Sequence, residues 1–325
     1  MSPLFSVVIP LYNKADTIER TIRSVARQTY ADYELVVVND GSTDDSLAVV
    51  RKLSKNLPIR VIDRKNGGVS SARNAGAMQA QGKYIALLDG DDVWYPSHLA
   101  RMAAAIRKFP NVGMFGGGYE WQRDGRIYFT WRKFRYRVLE ICDAYRYGQP
   151  THTSAIVIRK DIWMSAGGFD ERYSYFEDHE FFFRLGEKTK CCLVPGISER
   201  YTTDAGFRAT GSAVRQDPRT WPHILLINQR ILSGTAAPSM VRYANVQAKL
   251  KASFAYLHRN YESIDFWNRS YVGVVGTFRL WKMFVERKNR IACLLYSHFF
   301  LCWYRINNHL ILWVRKDSRT ACHEA

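Results

Sequence analysis

Three carboxylates, Asp89, Asp91 and Asp92, stand together in the stretch LLDGDDVW at 87–94. They follow directly on Tyr84-Ile85-Ala86-Leu87-Leu88, an apolar run with the length and composition of a buried strand that ends there. Like charges this close repel unless a cation sits among them. On an extended chain Asp89 and Asp91 point to the same side, and Gly90 lets the backbone approach a ligand closely. All-oxygen donors of this kind suit Mg²⁺ or Mn²⁺ held jointly with a substrate's phosphates. The plain alternative is an acidic turn whose aspartates cap a helix opened by Pro96.

Other segments carry complementary chemistry. In NGGVSSARNAGA at 66–77 two glycines precede Ser70 and Ser71, either of which could cap the following helix. The amides of such a helix start, with Arg73 in its first turn, offer positive potential to a phosphate or another polar anion. VVVNDGSTDDS ends a strand at Asp40, able to accept from the imide of a pyrimidine base, and IPLYN presents Tyr12 as a stacking face. A general base could come from FEDHEFFFRL, where Glu177, Asp178 and Glu180 precede the apolar stripe Phe181, Phe182, Phe183 and Leu185. PTHTSA at 150–155 contributes His152 as a candidate lining an acceptor pocket, although a lone histidine is more often structural.

Something must bring these groups together. Strand-like runs at 6–12, 34–40, 59–63, 83–89 and 112–117 alternate with helical stretches near 15–28, 44–55, 70–80 and 96–108. That is the pattern of βαβ units around a mostly parallel sheet. Ligands bind such sheets beyond the carboxyl ends of the strands, which puts Tyr12, Asp40 and Asp89 to Asp92 at one rim. Later in the chain a hairpin is expected around Asp124-Gly125, a strand at 154–160 and a helix from about 178 to 187.

The segments VVIPLYNKADTIERTIRSVARQTYADYELVVVNDGSTDDS, NGGVSSARNAGA, LLDGDDVW and GGFDERYSYFEDHEFFFRL together resemble an inverting glycosyltransferase of family 2, over roughly residues 4–205. The resemblance is to enzymes of bacterial cell-surface polysaccharide and lipopolysaccharide synthesis. It implies the GT-A fold, a Rossmann-like α/β architecture, and transfer of a hexose or N-acetylhexosamine from a nucleotide sugar, UDP-linked by preference, to a saccharide or lipid-linked saccharide. By the same resemblance Pro10, Tyr12, Asp40, Arg73, Asp89 and Asp91 form the donor site. Asp91 and Asp92 are the candidates for holding Mn²⁺ or Mg²⁺, Asp178 is the base, and Glu177 joins His152 on the acceptor side. A nucleotide-sugar-binding protein without turnover is the alternative. A nicotinamide dehydrogenase is disfavoured because no GxGxxG follows the first strand.

The formal charge of +17 is unevenly spread, with 15 Lys and Arg against 5 Asp and Glu after residue 220. The sequence divides into a GT-A domain at 1–215 and a basic helical region at 216–325, with the boundary near two prolines in RQDPRTWP. Within 279–316 the longest apolar core, Ile291 to Tyr304, is too short to span a bilayer, which takes about 20 residues. Its Trp, Phe and Leu among Lys and Arg suit an anionic membrane interface better than a nucleic acid. The six cysteines show no metal-binding spacing, and MSPLFSVVIP reads as the start of a strand rather than a leader. A cytoplasmic enzyme, peripheral on the inner face of the membrane, is therefore expected.

Overall fold

A computed structural model of the chain describes residues 2–123, 125–131, 135–146, 149–202, 221–257 and 311–312. The strands are β1 (Phe5–Leu11), β2 (Tyr33–Asp40), β3 (Ile59–Arg64), β4 (Tyr84–Leu87), β5 (Val93–Trp94), β6 (Met114–Arg123), β7 (Arg126–Trp131), β8 (Arg137–Glu140), β9 (Ile156–Arg159), β10 (Lys190–Thr202) and β11 (Ile311–Leu312). The helices are α1 (Ile18–Ala26), α2 (Ser46–Leu53), α3 (Val69–Gln79), α4 (His98–Lys108), α5 (Ile141–Tyr145), α6 (Lys160–Ser165), α7 (Glu177–Leu185), α8 (Pro222–Leu232) and α9 (Pro238–Leu257).

β3, β2, β1 and β4 pair in parallel, as the βαβ pattern requires. Beyond β4 the sheet turns mixed, because β9 inserts antiparallel between β4 and β6. β6 then pairs in parallel with β10, which the sequence reading missed. The expected strand at 112–117 runs on to Arg123 and forms the hairpin with β7 across Gly125, whose φ is +71°.

Every residue of β1 is buried, since helices cover both faces of the sheet. On one face Val7, Ile9, Leu35, Val37 and Leu88 meet Ile18, Ile22 and Val25 of α1 and Leu99, Met102 and Ile106 of α4. On the other, Val8, Ile85, Leu87, Ile156 and Ile158 meet Phe181, Phe182 and Phe183 of α7 and Ile224 and Ile227 of α8. α3 approaches β1 so closely that a Cβ on Gly76 would stand 2.4 Å from Val8 Cγ1. α8 and the start of α9 thus belong to the same core as α7. The boundary expected near 215–222 falls mainly on residues outside those described, as does nearly all of 279–316. Among the described residues no helix is long and apolar enough to cross a membrane.

Candidate active site

The carboxyl ends of β1, β2 and β4 form one rim. Leu11 is level with Asn39, so Tyr12 and Asp40 emerge side by side, and the 89–92 turn leaves β4 next to them. Pro10 lies in β1 beneath this turn, where its carbonyl would be 3.3 Å from a Cβ on Gly90.

Repulsion within the acidic turn is met by cations of the protein itself. Lys14 Nζ lies 2.8 Å from Asp91 Oδ2, and Arg73 Nη2 donates to Asp89 Oδ1 at 2.7 Å. Asp92 points the other way, into the interior, where Ser154 Oγ donates to it at 2.6 Å and the Thr202 amide at 3.2 Å. Backbone bonds fix the turn. The Gly90 carbonyl accepts from Thr17 at 2.8 Å and Thr21 at 3.1 Å, and the Asp91 carbonyl accepts from Arg20 at 3.0 Å.

The start of α3 differs from expectation. Ser70 and Ser71 lie inside the helix and do not cap it: Ser70 Oγ donates to the Tyr173 carbonyl, while Ser71 accepts from Arg64. The cap position falls to Gly68, whose φ of +89° an L side chain would resist. The anion at this helix start is Asp40, 2% exposed, which accepts from the amides of Gly67 at 3.1 Å and Gly68 at 2.7 Å. Arg64 pairs with it at 3.3 Å. The helix therefore spends its positive end on a neighbouring strand's carboxylate.

Arg73 joins two parts of the site. It is 3% exposed, and besides Asp89 it donates through Nη1 to Glu177 Oε1 at 3.0 Å, with Phe169 facing the guanidinium at 5.1 Å. Burial opposes its charge, but Asp89 and Glu177 outweigh burial and raise its pKa above the ordinary arginine value. Because α3 carries Arg73, β4 leads into Asp89 and α7 opens with Glu177, one side chain binds three elements.

Asp178 sits beside Glu177 in the first turn of α7, where the helix dipole favours carboxylates. Phe176 before it adopts the left-handed conformation, with φ of 51°. Asp178 Oδ1 accepts from the His179 amide at 2.8 Å and lies 3.0 Å from His179 Nδ1, and Thr153 Oγ1 donates to Oδ2 at 3.1 Å. Burial alone would raise its pKa. The imidazole and amide of His179, aided by Arg73, overcome that and hold the carboxyl well below the usual carboxylate range. Glu177 moves the other way, raised by burial and by Asp178 against the pull of Arg73. Glu180 is committed to Arg184, at 2.5 Å.

His152, named for the acceptor side, has its Nδ1 2.7 Å from Glu199 and 3.6 Å from Asp92, with its ring against Tyr201 at 4.3 Å. Burial disfavours its charge, but Glu199 and Asp92 raise its pKa to about 10. The sequence reading also passed over Lys14, Thr153, His179 and Glu199. Lys14 was findable, since it follows Tyr12 at the same rim. Glu199 was not, because its strand went unrecognised.

Residues 6–164 match the family described as Glycosyl transferase family 2. The chondroitin synthase of Pasteurella multocida is 32% identical over 203 residues, 58% of this chain, yet the chain spans only 19% of that protein. An uncharacterized Mycobacterium tuberculosis protein is 31% identical over 265 residues, covering 74% of this chain and 80% of the relative. Among solved structures, Staphylococcus aureus TarS with UDP-GlcNAc superimposes with a TM-score of 0.59 at 18% identity, over 85% of this chain and 91% of that one. The mannosyltransferase PcManGT from Pyrobaculum calidifontis, with GDP-Man and Mn²⁺, gives 0.57 at 17% identity, over 95% and 88%. The mixed sheet with helices on both faces is the architecture these two glycosyltransferases share. The chain belongs to glycosyl transferase family 2 and has the GT-A fold.

Proposed function

We propose that the protein is an inverting glycosyltransferase that moves a hexose or N-acetylhexosamine from a UDP-linked sugar to a hydroxyl of a saccharide or lipid-linked saccharide. The observation that carries this reading is the bridge made by Arg73, which draws the acidic turn after β4 and the paired carboxylates of α7 into one site. A donor diphosphate and an acceptor hydroxyl need such neighbours: a cation-binding corner for one and an ionised carboxylate for the other. The nucleotide sugars held by TarS and PcManGT, and the Mn²⁺ held by the latter, support the choice of donor and metal class.

In this reading Tyr12 stacks on the base and Asp40 reads its edge, oriented by the Gly67 and Gly68 amides. Asp89 takes the ribose side, steadied by Arg73. Asp91 offers hard oxygen donors of the type Mn²⁺ or Mg²⁺ prefers, and its contact with the Lys14 ammonium indicates an oxygen suited to a cation. A divalent ion bound there would neutralise the charge developing on the departing diphosphate, so no protein acid is required. Asp178 removes the acceptor proton as the hydroxyl oxygen attacks from the face opposite the leaving group. Thr153 and His179 fix the orientation of that carboxylate and keep it ionised. The basic C-terminal segment would hold the enzyme on the inner face of an anionic membrane, near a lipid-linked acceptor.

Asp178→Asn tests the assignment. Nucleotide-sugar affinity by calorimetry should stay close to wild type, while turnover falls by about 10² to 10⁴. A parallel collapse of binding and turnover would reject Asp178 as the base. Donor binding by the wild type without transfer to any acceptor would leave a binding protein.

A further inference from the structure

Behind the acidic turn lies a second charged group that the proposed reaction does not use. One donor atom from each of Asp92, His152 and Glu199 comes within 4.8 Å of the other two. Asp92 and Glu199 are 1% and 0% exposed, which makes this among the most deeply buried charge in the described chain. His152 Nδ1 stands 2.7 Å from Glu199 Oε1 and 3.6 Å from Asp92 Oδ2.

An imidazolium caught between two carboxylates should give its N–H to one of them. Here the 2.7 Å contact with Glu199 is a close ion pair, but its geometry falls short of a well-aligned hydrogen bond. Neither Glu199 oxygen has a hydrogen-bond partner, and all three atoms are shut off from solvent. A buried polar atom left this way costs about 1–3 kcal/mol, and more when charged. The contacts that do exist hold the donors in place. Ser154 and the Thr202 amide donate to Asp92, while Tyr201 and Tyr119 flank the imidazole at 4.3 and 5.8 Å. Donor atoms this crowded, with both Glu199 oxygens lacking an aligned hydrogen bond, have the arrangement of ligands around a shared centre. Ligands about 2.1 Å from an ion and at right angles stand about 3 Å apart, close to the separations seen.

We propose that Asp92, His152 and Glu199 form a buried divalent-metal site, distinct from the Asp91 corner, that takes a transition ion such as Zn²⁺, Mn²⁺ or Fe²⁺. A nitrogen donor beside two carboxylates favours these ions over Mg²⁺ or Ca²⁺, and two carboxylates with a neutral imidazole balance a charge of two. The hydrogen bonds from Ser154 and Thr202 are the outer support that a ligating carboxylate needs. The ligands come from three segments: the turn before β5, the stretch before β9, and β10, which pairs with β5 through Glu199 and Trp94. The ion therefore clamps the acidic turn from behind, and its role is positional.

The test uses full-length protein carrying no histidine tag, dialysed against metal-free buffer, with metal content read by elemental mass spectrometry. The wild type should retain about one transition ion per chain without nucleotide. Glu199→Gln and His152→Gln should lose it, and Asp91→Asn should keep it. Chelator-stripped wild type should take up Co²⁺ with the visible absorption of a nitrogen-containing site, a measurement that needs no variant. Protein that holds no ion as purified and gives no such spectrum would overturn the proposal, leaving a plain imidazolium–carboxylate cluster. Loss of the ion in Asp91→Asn with retention in Glu199→Gln would overturn it too. The donor-site reading is judged separately, by Mn²⁺ binding that depends on UDP and disappears in Asp91→Asn, so either idea can fail alone.

Discussion

Arg73→Met replaces a buried guanidinium by an apolar chain of similar length and leaves two carboxylates without their shared cation. The lost contacts are charge-assisted hydrogen bonds of 2.7 Å to Asp89 and 3.0 Å to Glu177, each worth about 1.5–3 kcal/mol. Their partners differ in exposure: the Asp89 side chain is 25% accessible and can regain water, whereas Glu177 at 13% largely cannot. The full penalty therefore applies to Glu177 and a reduced one to Asp89, for a total of about 3–4 kcal/mol, in the range for removing one partner of a buried pair. Urea unfolding at neutral pH should show that loss as a lower midpoint with an unchanged slope. Because the pair is buried, the difference between variant and wild type should persist when the measurement is repeated in high salt. Arg73→Lys should recover only part of it, since one ammonium cannot span both carboxylates as the fork does. A loss below about 1 kcal/mol, or one that salt abolishes, would refute the bridge as the tie between the two halves of the site.

Lys14→Met removes the cation that competes for Asp91, so nucleotide-free Mn²⁺ should bind the Asp91 corner about tenfold tighter by electron paramagnetic resonance; unchanged affinity would count against that competition. His98 is fully buried against Trp94 at 4.2 Å, with its pKa pushed well below the usual value by burial and by Arg101. Only the unfolded chain then takes up a proton as pH falls below about 6.5, so the wild type should lose about 2 kcal/mol between pH 6.5 and 5, and His98→Phe should lose correspondingly less. Deleting residues 280–325 should abolish co-sedimentation with anionic vesicles at low salt, and retained binding would place the membrane contact elsewhere.

The parallel half of the fold was legible because its signals are local. β1, β2 and β4 are short apolar runs closed by Tyr12, Asp40 and Asp89, and the rim follows from strand direction alone. In the antiparallel half the hairpin around Gly125 and the strand at 154–160 were legible as elements, but not the insertion of β9 between β4 and β6, since no local pattern records which strand it pairs with. β10 was hidden by its own irregularity. Pro195 and Gly196, the latter with φ of +93°, look like a turn, yet they form a register break inside a strand paired with β6 on both sides. With β10 unseen, Glu199 and Thr202 had no place in the site, and His152 had no visible partner. Ser70 and Ser71 misled for a simpler reason: the carboxylate that satisfies the amides before α3 comes from another strand.

The reach of each strand pairing along the chain bears on the order in which the site is assembled. Asp40 ends β2, which pairs with β3 about 24 residues further on, whereas Asp89 waits for β4 to dock on β1 across 79 residues and Glu199 for β10 to dock on β6 across 77, the slower step in forming any sheet. A site drawn together from such distant strands is expected to be completed late in folding and to be lost early under mild stress. Sugar transfer should accordingly fade before helical circular dichroism does.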